Sequence, residues 1–181
     1  MFDYRITKYN PANRNRAGSY TKNEWTSFGD IGSIFDNELL SFDAYHIIED
    51  AYIEAIENIM DFLKQETLYL SGLEINVDKA NEICGKHSQE MINLLKELKE
   101  EKELSRNEVC VVARMILRNY IWGKLQNENM FVHFGYDYYM YIGSAKPLPA
   151  YMISAIGKAG LFVEEFESPY HEEMADEDIS N

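Results

Sequence analysis

Five carboxylates occupy positions from which a helix would present them together on one side. Residues 36–61 hold eight acidic side chains and neither lysine nor arginine. At 100° per residue, five of the eight lie within a narrow arc nearly opposite an apolar stripe: Asp43, Asp50, Glu54, Glu57 and Asp61. A surface of one sign attracts a basic partner and speeds its association. The alternative is a solvated outer face, the ordinary use of a charge run.

A second group of charges combines one acid with two arginines. Glu49 lies at the rim of the same apolar stripe, and Arg114 and Arg118 share one side of a later helix at i,i+4 spacing. Charged side chains are seldom fully buried unless they are paired. The three residues therefore form a buried ion pair or a pocket for a polar ligand. In the remaining alternative, the arginines emerge at the sheet edge and Glu49 reaches water.

A third group is aromatic. The chain has 13 tyrosines, and four of them fall within residues 136–141. In a strand, Tyr139 and Tyr141 point to one face while Tyr138 points to the other. Exposed tyrosines suit an interface because they bring a large contact area and a hydroxyl, which makes Tyr136, Tyr139 and Tyr141 candidate partner contacts. Cross-strand packing of aromatic rings is an equal alternative.

Catalytic patterns are sparse. His133 and Asp137 could approach each other across a turn, either as a base with its orienting carboxylate or as half of a metal site. A local hydrogen bond of a hairpin histidine is the alternative. No second histidine stands at ligand spacing, and neither H-E-x-x-H nor C-x-x-C occurs. The sequence therefore predicts no catalytic residue, no metal ligand and no cofactor.

The elements that hold these groups follow from periodicity and capping. Ser41 is the expected N-cap of a long helix over about residues 42–64. The run Ser105-Arg-Asn-Glu108 fits a capping box and opens a helix over about 106–125, whose apolar residues surround the axis, as in a buried helix. Further helices are predicted near 79–85, 88–102 and 149–159, and strands over 2–9, 68–75 (one strand or a broken pair), 130–143 (a hairpin) and 161–166.

These elements predict the fold class and the domain organisation. Strands that flank a mainly helical middle indicate an α+β fold, with an antiparallel sheet packed on one face by several helices, one of them central and buried. A length of 181 residues fits a single domain, expected over 1–166. Residues 167–181 are rich in acid and poor in apolar side chains, and are expected to form a disordered tail.

Composition excludes several classes of protein. The net charge of −14 argues against direct binding of nucleic acid, which needs a basic stripe. No window approaches the ~18 consecutive apolar residues of a membrane span, and the first residues lack a signal-peptide pattern. Cys84 and Cys110 both fall in predicted helices, which favours inert core cysteines in a reducing cytoplasm.

Several blocks resemble a small uncharacterised bacterial family. They are Tyr4-Arg-Ile-Thr-Lys-Tyr-Asn-Pro11, Glu24-Trp-Thr-Ser27, Asp30-Ile-Gly32, Leu117-Arg118 with Ile121-Trp122, Phe134-Gly-Tyr-Asp-Tyr-Tyr-Met-Tyr141 and Gly160-Leu-Phe-Val-Glu164. The resemblance spans most of the chain apart from the acidic tail. It implies no catalytic residue. In type, a small, acidic chain without catalytic motifs resembles the immunity proteins that neutralise bacterial toxins.

These observations lead to one functional hypothesis and one main alternative, and a self-associating structural protein is a third option. The hypothesis is a cytoplasmic protein-binding inhibitor of the immunity type, which neutralises a basic, nuclease-like toxin domain through the acidic helix face and the tyrosine-rich hairpin. The partner is then a basic protein, with neither nucleic acid nor membrane bound directly. The alternative is a small-ligand-binding protein or enzyme with a pocket around Glu49, Arg114 and Arg118.

Overall fold

The described part of the chain folds into a seven-stranded sheet with four α-helices. A computed structural model describes residues 1–76 and 89–171. The sheet strands are β1 (Phe2–Thr7), β4 (Thr67–Ile75), β5 (Glu103–Ser105), β6 (Ile121–Gln126), β7 (Met130–Phe134), β8 (Tyr139–Ser144) and β9 (Phe162–Glu165), and a separate two-stranded hairpin consists of β2 (Ile34–Phe35) and β3 (Glu38–Leu39). The helices are α1 (Phe42–Leu63), α2 (Gln89–Glu97), α3 (Arg106–Leu117) and α4 (Ala150–Lys158).

Every pairing in the main sheet is antiparallel. The spatial order of its strands is β5-β4-β6-β7-β8-β1-β9. The N-terminal strand β1 therefore lies between β8 and β9, close to the C-terminal end of the described chain. This architecture confirms the predicted α+β class. Among the described residues, no helix is both long and apolar enough to cross a membrane.

Helix α1 begins and ends as its capping residues dictate. The Oγ of Ser41 accepts a hydrogen bond from the amide of Ala44 at 3.1 Å. The helix ends at Leu63, and the C-cap residue Lys64 adopts the left-handed conformation with φ of 57°. The buried stripe includes Tyr45, Tyr52, Ile56 and Ile59, none of which has exposed surface. The predicted helix over about residues 42–64 is therefore confirmed.

Helix α3 is shorter than predicted. It starts after Ser105, whose amide donates to the Glu108 carboxylate at 2.8 Å, as the capping box predicts. It ends at Leu117, and Asn119 takes a left-handed turn with φ of 59° before strand β6 begins at Ile121. The prediction of one helix over 106–125 is wrong in its second half. Buried helices and central strands are both rich in apolar residues, so an apolar run does not distinguish them. Trp122 lies in strand β6.

The structure also bears on two predictions for the segments that form α2 and strand β4. Helix α2 ends at Glu97, and not near residue 102, because the chain turns back there to form β5. Residues 68–75 form one strand and not a broken pair, although its pairing with β6 shifts at a bulge between Ser71 and Glu74. The helix predicted near 79–85, which includes Cys84, lies outside the described residues.

The two faces of the sheet carry different side chains. One face packs Tyr4, Ile6, Val132 and Ile142 into a core shared with α1 and α3. The other face carries polar and aromatic residues, which share it because paired residues of neighbouring strands project to the same side: Asp3, Arg5, Tyr139, Tyr141, Gly143, Phe131, His133 and Lys124. We call this second side the polar sheet face.

The segment after β9 crosses the polar sheet face. Ser168 is buried, and its Oγ lies 2.9 Å from Nδ1 of His133. The ring centroid of Tyr170 lies 5.9 Å from that of Tyr141 and 6.1 Å from that of Trp122. Residues 167–171, the start of the predicted acidic tail, thus pack on the sheet, and residues 172–181 lie outside the described chain.

Gly143 is required by a neighbouring ring. The space that a Cβ would occupy there is filled by Phe131, the residue directly opposite on β7. We expect Gly143→Ala to lower the free energy of unfolding by about 1–3 kcal/mol, measured by urea denaturation, because the ring has to move within a packed layer. In a Phe131→Leu background the same change should cost clearly less. An equal cost in both backgrounds would show that the methyl group does not meet the ring.

Candidate functional site

Glu49 is the centre of a buried network. Its side chain has no exposed surface. One carboxylate oxygen, Oε1, accepts hydrogen bonds from Nε of Arg118 at 2.7 Å and from the Tyr45 hydroxyl at 3.0 Å. The other, Oε2, accepts from Nη2 of Arg118 at 2.6 Å and from Nη1 of Arg114 at 2.8 Å. Nδ1 of His46 lies 3.0 Å from the same oxygen.

The network joins α1 to α3 as an ion pair. Burial alone would raise the pKa of Glu49, but the hydrogen bonds and charge of Arg118, with those of Arg114, outweigh burial and hold that pKa below its usual range. Four donors already occupy the two carboxylate oxygens. The structure thus shows the ion-pair arrangement of Glu49, Arg114 and Arg118, in which Arg118 is itself buried.

The acidic face of α1 is exposed, but salt bridges neutralise part of its negative charge. All five predicted carboxylates are exposed: Asp43, Asp50, Glu54, Glu57 and Asp61. Two of them form salt bridges with arginines of α3, namely Asp50 with Arg114 at 2.7 Å and Asp61 with Arg106 at 2.6 Å. Within the described chain, the other three form no salt bridge. Helix α3 therefore supplies cations that the sequence of α1 lacks.

The tip of the β7–β8 hairpin has a constrained backbone. Asp137 and Tyr138 both have positive φ, 56° and 63°, and the amide of Tyr139 donates to the carbonyl of Tyr136 at 3.1 Å. Two consecutive left-handed residues define a type I′ turn, which is costly for a bulky side chain such as tyrosine.

Side-chain contacts hold this turn in place. The Tyr138 hydroxyl lies 2.9 Å from both the Tyr45 hydroxyl and the Leu117 carbonyl oxygen. The Tyr52 hydroxyl donates to the Tyr138 carbonyl at 2.6 Å and accepts from the Lys8 amide at 2.8 Å. Through Tyr45, the turn is connected to the Glu49 network. A strained turn that is fixed from several sides is typical of a functional loop.

The tyrosines of the hairpin divide by exposure. Tyr136 is 86% exposed and Tyr139 is half-buried. Tyr138 packs into the core, whereas Tyr141 is buried on the polar sheet face, next to Phe166 and Tyr170. Tyr136 therefore has the exposure that a partner contact requires, which leaves its interface role a prediction, whereas Tyr141 packs against other aromatic rings.

A surface cleft of about 450 Å³ opens beside the hairpin tip. Its walls come from the 26–28 loop, the bulged end of β4, the α3–β6 connection, the hairpin tip and the C-terminal segment. Its aromatic lining consists of Phe28, Trp122, Phe134, Tyr136, Tyr138 and Tyr170, and its charged lining consists of Glu74 and Asp137. No lysine, arginine or histidine belongs to the lining. We call this cavity the tip cleft.

His133 is not placed to work with Asp137. It lies on the polar sheet face, where Nδ1 meets Ser168, whereas Asp137 lines the tip cleft. Burial, with smaller effects from the charges of Lys124 and His171, lowers the pKa of His133 to about 4. Its hydrogen-bond partner is therefore neither Asp137 nor a residue of the hairpin, but Ser168 of the segment after β9. Among the described residues, no three metal-binding side chains cluster around a common point.

The described cysteine is protonated at neutral pH. Cys110 lies half-buried on α3, and burial, reinforced by Glu57, raises the pKa of its thiol to about 12. A thiol in that state is a poor nucleophile.

Sequence reasoning missed the tip cleft as a unit. Glu74, Asn119 and Phe28 come from three separate segments, and periodicity within one element cannot bring them together. Two local signals were available: the aromatic run of the hairpin and the single Asp137 between tyrosines. Neither indicates which ring is exposed.

Comparison with known proteins adds no relative. No family model matches the chain, and neither the curated proteins nor the solved structures include a significant match.

Proposed function

We propose that this chain is a protein-binding inhibitor of the immunity type, acting in the cytoplasm on a basic, nuclease-like toxin domain. The observation that carries the proposal is the exposed acidic face of α1. Asp43, Glu54 and Glu57 project into solvent there, and none of them forms a salt bridge within the described chain. Exposed carboxylates of one sign are the complement of a cationic, phosphate-binding surface.

Different residues attract the partner and hold it once it is bound. The α1 carboxylates act at a distance and raise the association rate of a basic partner. Tyr136, fully presented at a rigid turn, supplies the aromatic contact that slows dissociation. Because the turn is held by Tyr45 and Tyr52, little order has to be gained on binding.

The Glu49 network favours this proposal over the small-ligand alternative. A ligand bound at Glu49 would have to displace Arg118, Arg114 and the Tyr45 hydroxyl from its two oxygens. The tip cleft is lined by none of Glu49, Arg114 and Arg118. The three charges therefore act within the fold, and they fix α1 on α3.

Charge reversal on α1 tests the proposal. The tagged chain is used to capture a basic protein from an extract of the native host, and that protein is then expressed with and without this chain. We expect expression alone to arrest growth and co-expression to restore it. Glu54→Lys combined with Glu57→Lys should abolish the rescue and lower the association rate at least about tenfold at low salt, because steering is lost.

A matched control keeps the net charge change constant. Glu90→Lys combined with Glu97→Lys makes the same reversal on the exposed side of α2 and should leave growth rescue intact. Asp50 and Asp61 are left unchanged because each holds an arginine of α3. Equal rescue by both double variants would contradict an interface on α1.

A further inference from the structure

We propose that the tip cleft binds the guanidinium group of an arginine side chain. The inference rests on the proposed function in one respect: the arginine belongs to the basic protein partner. None of the residues that line the cleft belongs to α1, and its binding chemistry can be measured without that partner.

The aromatic lining of the cleft includes the neighbouring rings of Trp122 and Tyr170. Trp122 is half-buried, and its Nε1 donates to the Phe134 carbonyl at 3.2 Å, which fixes the ring. The ring of Tyr170 lies beside it, with centroids 6.1 Å apart and planes tilted by 58°. Gly72, at the β4 bulge, allows the Trp122 ring to approach the backbone closely. Cations bind over such aromatic faces.

Two carboxylates give the cleft its charge. Glu74 and Asp137 are exposed at its margin, and no hydrogen bond or salt bridge of either carboxylate occurs within the described chain. Since the lining holds no basic residue, this charge is not neutralised from inside the cleft. A cationic ligand would supply the missing partner, whereas an anion would be repelled.

A neighbouring lysine, Lys8, is not the cationic partner of Asp137. The charge of Lys8 acts on Asp137, but its ammonium lies 3.3 Å from Glu24 and 4.1 Å from the ring centroids of Tyr9 and Trp25. Burial lowers the pKa of Lys8 to about 8 in spite of Glu24. Lys8 is thus enclosed by its own partners and leaves Asp137 available to a ligand.

Shape selects guanidinium over ammonium. The group is planar, stacks on aromatic rings and offers a fork of donors to a carboxylate, whereas an ammonium is a compact, strongly hydrated charge. A volume of about 450 Å³ lies within the roughly 300–1,000 Å³ range of small-ligand sites. The cleft accommodates one side chain with its flanking backbone.

A peptide titration tests this inference. The probe is acetyl-Gly-Arg-Gly-amide, followed through the Trp122 indole N–H signal in NMR spectra of the full chain. We expect saturable binding with Kd on the order of 1 mM. The citrulline peptide, a neutral isostere, should give no saturable shift, and the lysine peptide should bind at least about tenfold more weakly.

Isosteric variants locate the site. Asp137→Asn keeps a residue that tolerates positive φ, and Glu74→Gln changes an exposed position. Together they should weaken arginine binding at least about tenfold. The control pair Asp43→Asn with Glu54→Gln removes two charges from α1 and should leave the peptide Kd unchanged.

The outcomes separate the two proposals. Equal binding of arginine and citrulline peptides, or an unchanged Kd in the cleft variant, would overturn the cleft inference alone. Equal binding of the lysine peptide would overturn the choice of guanidinium. Growth rescue that survives charge reversal on α1 would overturn the proposed function while leaving peptide binding intact.

Discussion

Glu49→Gln is expected to reduce the free energy of unfolding by about 3–5 kcal/mol at pH 7. The substitution keeps the shape of the side chain and removes its charge. Arg118, itself buried, then loses the carboxylate that accepts hydrogen bonds from its Nε and Nη2. The Glu49 carboxylate also anchors the Tyr45 hydroxyl, so the hairpin turn loses part of its support. Urea denaturation of both proteins measures the difference.

The neighbouring residue provides the control. Asp50→Asn removes a carboxylate that also binds Arg114, but from an exposed position, and should cost no more than about 1 kcal/mol. The two variants differ in burial while sharing a partner and an adjacent place on α1. A similar loss in both would mean that burial of Glu49 does not determine the energy of this network.

Local chemistry explains the elements that sequence predicted well. Helix α1 has both a capping serine and an apolar stripe long enough to fix its period. Helix α4 follows Pro149, and Gly160 beyond its end takes the left-handed conformation that commonly follows a helix. In these segments, local preference and tertiary packing favour the same structure.

The boundary between α3 and β6 shows what local chemistry leaves undetermined. Residues 106–125 are apolar around the whole helical circumference, which fits a buried helix, but Ile121, Gly123 and Leu125 also alternate with Trp122, Lys124 and Gln126. That period of two indicates a strand. Asn119, which tolerates the left-handed turn, marks the division.

The candidate sites required information from distant residues. The sequence of α1 shows five acids without a cation, yet Arg106 and Arg114 approach two of them from α3. An ion pair of Glu49 with Arg114 and Arg118 is one of the alternatives that the sequence leaves open, because a charge at the rim of an apolar stripe needs compensation; a ligand pocket and solvent exposure are the others. The tip cleft had no such local signature, since each wall is built by a different segment.

The neutral, buried state of His133 has a consequence for stability at mildly acidic pH. Its pKa is lowered to about 4, mainly by burial, while that of an unfolded histidine is about 6.5. Between these values the unfolded chain binds one more proton than the folded chain. Stability therefore falls as pH falls through this window. Lys124 and His171 disfavour the proton on His133, whereas Asp3 favours it.

From pH 6.5 to pH 4, His133 should lower the free energy of unfolding by about 1.4 kcal/mol per pH unit, or about 3 kcal/mol in all. His133→Asn should remove this slope whatever it costs at pH 7, because asparagine does not titrate.

His171→Asn, at an exposed position on the same face, should retain it. The pKa of Glu49 is held below its usual range, so the stability that Glu49 contributes is lost only from the acidic end of this window downward. Urea denaturation at half-unit pH steps measures the three slopes. An unchanged slope in His133→Asn would mean that the buried imidazole is not the group responsible.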